Sequence, residues 1–287
     1  MKLINYISNG GTRLGIWTER GVIDIEQAAS GFSMDVPADM MGVIAQGPVA
    51  LEKLKTLEGE AAPSISEDGL AFAPCVQNPE KIICVGLNYK DHIKETGMDA
   101  PQYPILFSKF NNALAAHMQA VRLPGAAGQV DYEAELVAVI GKEASCVGEE
   151  EALSCVFGYT AGNDLSARDL QSRTGQWLLG KSCDGFAPIG PCLVTADALD
   201  PGSLGILCEV NGEVRQSGNT SQMVFGCAQI ISYASQHMTL KPGDLIFTGT
   251  PSGVIAGYPE DRRVWLKPGD EITVSIDEIG SLTNILV

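Results

Sequence analysis

Val130-Asp131-Tyr132-Glu133-Ala134-Glu135-Leu136-Val137-Ala138-Val139-Ile140-Gly141 sets two carboxylates two residues apart at the mouth of an apolar run. In a strand, residues i and i+2 share a face. Glu133 and Glu135 therefore point side by side, and the apolar tail from Leu136 marks a strand covered on both faces. Two ionised carboxylates held together out of water repel each other and lose hydration. A divalent cation is the simplest compensation. The competing explanation, a solvated edge strand, sits poorly with that apolar tail.

Working outward, short β runs dominate. Leu3 to Ile7, Arg13 to Trp17 and Val22 to Ile25 are separated by turns at Asn9-Gly10-Gly11 and Gly21, which is hairpin spacing. A helical pattern covers roughly 37–57, and 59–68 is a polar linker. Pro74 and Pro79 punctuate the next join, so we expect a small N-terminal accessory domain over 1–72 and a larger domain over 79–287. Further strand runs follow at 81–86, 104–107, 132–140, 155–161, 205–210, 244–247 and 271–276. A long helix is expected over about 220–237, capped by Asn219 or Thr220, with Met223, Phe225 and Ile230 on its core face. Lys-Pro-Gly-Asp occurs at 241–244 and 267–270, both read as turns into strands. Strands outnumber helices, which predicts a β-rich α+β fold.

The chain has 287 residues, 45% hydrophobic and 19% charged, with a net charge of -16. That acidity disfavours nucleic acid and anionic membranes as partners. It also requires a local site for any anionic small molecule. No apolar stretch reaches the length of a membrane span, and the first residues meet Asn9 and Gly10 too early for a signal-peptide core. A cytoplasmic location is the expectation. The eight cysteines form no Cys-x-x-Cys pair and read as free thiols, Cys183 drawing notice only for its nearness to Lys181.

Four constellations carry chemistry. Asp164, at the end of an apolar strand, completes an oxygen-donor set with Glu133 and Glu135 that suits Mg²⁺ or Mn²⁺ and leaves positions for substrate; its competing role is a helix N-cap. His92 and Glu95 are i, i+3 neighbours on a short helical piece, where the carboxylate raises the basicity of the imidazole and fixes its tautomer; a chance surface pair is the alternative. Arg168, Asp169 and Gln171, followed by Gln176 to Ser182, form a polar cluster in which Lys181 can meet a carboxylate or an oxyanion, or remain an ordinary surface lysine. Phe247-Thr248-Gly249-Thr250-Pro251-Ser252-Gly253 can offer backbone N–H groups to an anion but lacks P-loop spacing, and by itself reads as a turn. His117 and His237 lack partners and read as structural.

Taken in order, the motifs resemble the fumarylacetoacetate hydrolase family over about residues 79–287. They are Gly86-Leu87-Asn88-Tyr89 with His92 and Glu95; Phe107-Ser108-Lys109; Asp131-Tyr132-Glu133-Ala134-Glu135; Asn163-Asp164 with Ser166 to Asp169 and Gln171; Gly180-Lys181 with Asp184-Gly185; Asn211-Gly212; and Phe247 to Pro251. The resemblance implies a mixed β-roll catalytic domain with a small β-rich N-terminal domain, and a homodimer. It implies Mg²⁺ or Mn²⁺ on Glu133, Glu135 and Asp164, a lid bearing His92 and Glu95, and substrate contacts from Lys109, Gln171, Lys181 and Thr250; Arg168 is a further expected substrate contact. Some members, the acylpyruvate hydrolases among them, carry arginine where this chain has Leu87. The expected substrate is a small-molecule 2-oxo or 2,4-dioxo acid, and the leading expectation is hydrolysis of a C–C bond with His92 and Glu95 activating water and Lys181 steadying the oxyanion. Oxaloacetate decarboxylation, keto–enol tautomerisation and isomerisation of unsaturated oxo-diacids use the same residues. A non-catalytic oxo-acid-binding protein is the alternative of a different class, and the presence of both His92 and Glu95 argues against it.

Overall fold

The computed structural model describes residues 1–287. Its frame is a mixed eleven-stranded sheet ordered Gly21–Asp24, Gly11–Thr18, Lys2–Ser8, Ala187–Thr195, Val156–Asn163, Ala134–Ile140, Leu245–Phe247, Ile82–Gly86, Ile105–Lys109. Two-residue strands at Phe72–Ala73 and Leu114–Ala115 attach to Lys2–Ser8 and Ala187–Thr195. A four-stranded antiparallel sheet, ordered Glu213–Asn219, Gly205–Val210, Glu271–Ile276, Gly280–Ile285, shares a core with it. This is the β-rich α+β fold expected from the strand count.

Strand Ala134–Ile140 shows why the opening stretch fixes the architecture. All seven of its residues are buried. Ala134, Leu136, Ala138 and Ile140 enter one core, while Val137 and Val139 enter the other. Each large aliphatic side chain so buried contributes about 1.5–3 kcal/mol. A slip of one residue would exchange the two sets, so the register is strongly specified. That register sets Glu135 opposite Gly162 of the antiparallel neighbour, two residues before Asp164.

The hairpins near the N-terminus form as expected. They are continuous with the rest: Lys2 and Leu3 pair with Val194 and Leu193. Leu3, Leu14 and Ile16 share a core with Val137, Phe157 and Leu193. One sheet and one core thus run across the join expected between 72 and 79. Both Lys-Pro-Gly-Asp turns are built alike, with Asp244 and Asp270 accepting from the N–H of Lys241 and Lys267 at 2.8 and 2.9 Å.

Three expectations need correction. The helical stretch over 37–57 is two helices, Met40–Gln46 and Pro48–Glu60, broken at Gly47, and a further helix Ile25–Gly31 precedes them. The long helix over 220–237 is only Cys227–Ser235, preceded by a 3-10 turn, Thr220–Gln222, that Asn219 caps. Its lost first turns have a competitor. The Asn88 side chain accepts from Phe225 N–H and donates to Phe225 C=O, both at 2.9 Å, and Asn88 C=O accepts from Val224 N–H. Met223 and Phe225 still pack in or against the core, but from non-helical backbone; Ile230 is the helical core residue. Third, strand Ala187–Thr195, central in the sheet, is missing from the expected runs; it carries Pro188 and Pro191, residues that are rare inside sheets.

Candidate active site

Glu133, Glu135 and Asp164 come together as the strand arithmetic requires. One carboxylate oxygen from each lies within 4.8 Å of the others, and all three residues are buried. Asp164 is not a helix cap; the following helix, Arg168–Gln171, is capped at Ala167. Its carboxylate instead meets two ammonium groups, Lys109 and Lys181, the latter at 2.8 Å. Lys181 also bonds Glu133 Oε2 at 2.9 Å, so it bridges two members of the triad. Arg168 donates to Glu133 Oε1 at 2.7 Å and to Asp131 Oδ2 through Nε and Nη2 at 3.0 and 2.9 Å.

The electrostatics are uneven. Burial alone would push the Glu133 carboxyl up, but the Lys181 and Arg168 charges together outweigh it and hold the group well below the usual carboxylate range. Glu135 goes the other way: burial first, then the Asp164 and Glu133 charges, push it well above that range. Its one hydrogen bond comes from Gly249 N–H at 2.7 Å. Burial works against the charged form of Lys181, yet the Asp164 and Glu133 charges raise it above an ordinary lysine. Four buried carboxylates, counting Asp131, face three cations, Lys109, Lys181 and Arg168. The oxygen-only donor set, the uncompensated charge and the poorly satisfied Glu135 fit a divalent cation.

His92 and Glu95 lie on helix Lys90–Thr96, rooted by the Asn88 bonds just described. His92 Nδ1 is 3.2 Å from Glu95 Oε2. That contact places the imidazole proton on Nδ1 and leaves Nε2 as the free acceptor. His92, Glu133, Glu135, Arg168, Gln171, Lys181 and Thr250 line one cavity of 210 Å³. Gln171 accepts from Arg168 at 3.1 Å, and Thr250 Oγ1 accepts from Gln216 at 2.8 Å. Lys109 differs from its expected role as a substrate contact: its ammonium is fully enclosed behind Asp164 and also donates to Leu165 C=O at 3.0 Å. It holds a triad carboxylate and does not line this cavity.

The segment read as a turn, Phe247 to Val254, together with the residues that follow it, organises the site. Its N–H groups do go to anions, but to the protein's own. Gly249 donates to Glu135, Gly253 to Glu95 at 3.0 Å, and Ile255 and Ala256 to Asp131 at 2.8 and 3.0 Å. Ser252 Oγ donates to Asp91 of helix Lys90–Thr96 at 2.9 Å. Gly249 and Gly253 have φ of +98° and +103°, and a methyl at Gly253 would lie 2.1 Å from Arg215 C=O, so both need glycine. Asp131 and Asn163 (whose Oδ1 accepts from Glu133 N–H at 3.0 Å) are supporting residues that the sequence motifs contained without a role, and Gln216 is one that they did not contain. Only Asp131 left a signal, as a further acid beside the Glu pair. His117 accepts from Thr283 N–H and packs on Phe72, and His237 packs on Tyr233, both away from the cavity. Burial pushes the Cys183 thiol up, the reverse of activation.

A β-rich fold with a buried acidic triad and a His–Glu dyad on a cover helix defines an enzyme class, and the chain belongs to the fumarylacetoacetate hydrolase family. The family pattern described as fumarylacetoacetate (FAA) hydrolase C-terminal matches residues 81–287. Among curated relatives, the protein named oxaloacetate tautomerase fahd2, mitochondrial, from Xenopus laevis is 40% identical, covering 100% of this chain and 90% of that protein. Among solved structures, fumarylacetoacetate hydrolase from psychrophilic Exiguobacterium antarcticum is 36% identical with a TM-score of 0.86, covering 100% of this chain and 99% of that one. Maleylpyruvate hydrolase from Sphingobium sp. SYK-6, in complex with manganese (II) ion and pyruvate, is 31% identical with a TM-score of 0.81 and the same coverage. No helix here is long and apolar enough to cross a membrane.

Proposed function

We propose that this chain is a divalent-cation-dependent keto–enol tautomerase of a short 2-oxo diacid of the oxaloacetate kind. The observation that carries the proposal is the shared cavity: Glu133, Glu135, Lys181 and His92 all line 210 Å³, with Asp164 bonded to Lys181 and Glu95 to His92 behind them. Glu133, Glu135 and Asp164 would hold Mg²⁺ or Mn²⁺. Bound there, the cation supplies Lewis acidity toward a 2-oxo oxygen. In the enol-to-keto direction the enol oxygen gives up a proton and the adjacent carbon gains one. Lys181 faces that oxygen and balances its charge as the proton leaves. His92, oriented by Glu95, carries the proton to carbon through Nε2. The 40% identical Xenopus relative named an oxaloacetate tautomerase supports this choice.

Hydrolysis, the leading expectation from sequence, is the second reading, favoured by the maleylpyruvate hydrolase likeness. It needs a longer acid and an attacking water beside its distal carbonyl, and the small cavity suits it less well. The homodimer and the cytoplasmic location stay within the proposal; the Xenopus relative's name says mitochondrial. The test follows the enol absorbance of oxaloacetate with Mg²⁺ while assaying pyruvate and CO2. We expect enol loss to accelerate with no extra pyruvate. Pyruvate formed in step with CO2 would make the chain a decarboxylase. Cleavage of a 2,4-dioxo acid to two acids, without effect on oxaloacetate, would make it a hydrolase.

A further inference from the structure

Beside the 210 Å³ cavity lies a larger cleft of 620 Å³, and the two share the side chains of Phe107 and Trp177. Phe107 stands on the sheet's edge strand, Ile105–Lys109, and Trp177 immediately precedes the helical turn Leu178–Lys181. Their rings meet edge to face, with centroids 5.2 Å apart, a favoured aromatic geometry. Trp177 also lies against the backbone of Gly86. A methyl group on Gly86 would sit 3.0 Å from Trp177 Cζ3, so the bare glycine lets the indole close in. Phe107 in turn carries the Lys181 ammonium 4.9 Å from its ring centre. The partition is therefore braced by the sheet and tied to the site's own cation. On the cavity side, Leu87, Ile105 and Val254 continue it as an uncharged wall.

We propose that Trp177, braced by Phe107 and Gly86, is a specificity-determining residue that limits the length of the acid accepted. This rests on the oxo-acid reading above and adds to it which acids are refused. The cavity measures 210 Å³ against 620 Å³ for the outer cleft. It falls below the about 300–1,000 Å³ typical of sites for drug-sized ligands. A four-carbon oxo-diacid fits that space. A 2,4-dioxo acid with an aryl end does not, unless the indole is removed and the cavity opens into the outer cleft.

The test compares wild type, Trp177→Phe and Trp177→Ala, each as the full chain with Mg²⁺. It measures kcat/KM for enol–keto conversion of oxaloacetate and of a phenyl-bearing 2,4-dioxobutanoate. We expect the ratio of aryl substrate to oxaloacetate to rise about tenfold or more in Trp177→Ala, and by less in Trp177→Phe. The Phe variant keeps an aromatic plate and decides the matter if the Ala variant does not fold. A ratio unchanged in the variants, with both kcat/KM values falling together, would reduce Trp177 to a brace for the fold and overturn the inference. Wild type inactive on both acids would remove the proposed function and this inference with it. Wild type active on oxaloacetate with an unmoved ratio would remove only the role of Trp177.

Discussion

Asp24 and Glu135 are both buried carboxylates at strand ends, and the protein treats them in opposite ways. Asp24 receives Arg13 Nε and Nη2 at 2.6 and 2.7 Å, the Tyr6 hydroxyl, and Gln27 N–H at 2.8 Å as the cap of helix Ile25–Gly31. Burial pushes its carboxyl up, but these partners outweigh that and hold it below the usual range. Glu135 has one backbone N–H and two carboxylate neighbours, and is pushed up. A satisfied buried charge belongs to the fold. An unsatisfied one among like charges has no folding purpose and points to a ligand of opposite sign.

The largest effect that would break this contrast concerns the triad. Glu135→Gln should abolish catalysed turnover and divalent-cation binding, yet leave the cation-free melting temperature unchanged or higher, because a neutral amide replaces a carboxyl whose charged form is disfavoured there. A cation-free melting temperature several degrees lower would mean that Glu135 is structural. Next, His92→Ala should lower turnover by about 10²–10⁴-fold with cation affinity unmoved, read by steady-state kinetics beside a Mn²⁺ titration. Full activity in that variant would take proton transfer away from His92.

Asp24→Asn should do the reverse of the triad change. It removes the anion that Arg13 and Tyr6 share, leaving Arg13 only the exposed Glu26, and should cost about 2 kcal/mol, or about 4–8 °C in melting temperature, with cation binding retained. The smallest effect is on pH. Because the folded-state pKa of Asp24 is depressed, its contribution is fully present above its unfolded value near 3.9 and is lost as pH falls through the lower folded value. Stability measured from pH 5 downward should therefore decline less steeply in Asp24→Asn than in the parent chain. Parallel declines would show that Asp24 is not held by its partners.

The triad was legible in sequence because acids inside an apolar run are a local contradiction, visible without any long-range contact. The same holds for the hairpins and for the twin Lys-Pro-Gly-Asp turns. What escaped depends on distant partners or on backbone. The helix expected from Thr220 loses its first turns to Asn88, far upstream. Strand Ala187–Thr195 was masked by its prolines, although its neighbours on both sides pair with it. That the Gly249 and Gly253 N–H groups can hold an anion was readable from the Gly-rich run, but that the anions are Glu135 and Glu95, and that Ile255 and Ala256 hold Asp131, was not, since backbone donors are common to nearly every residue. Lys109 was legible as a site residue, but its burial behind Asp164 was not, because pattern does not say which end of a cavity a side chain approaches.

The central claim is that the uncompensated charge around Glu135 is a seat for one divalent cation. Calorimetric titration of the chelator-treated chain with Mn²⁺ tests it most directly, with the Glu133→Gln, Glu135→Gln, Asp164→Asn triple variant alongside. One ion should bind per chain of the parent protein and none to the variant. No binding by the parent, or equal binding by both, would contradict it.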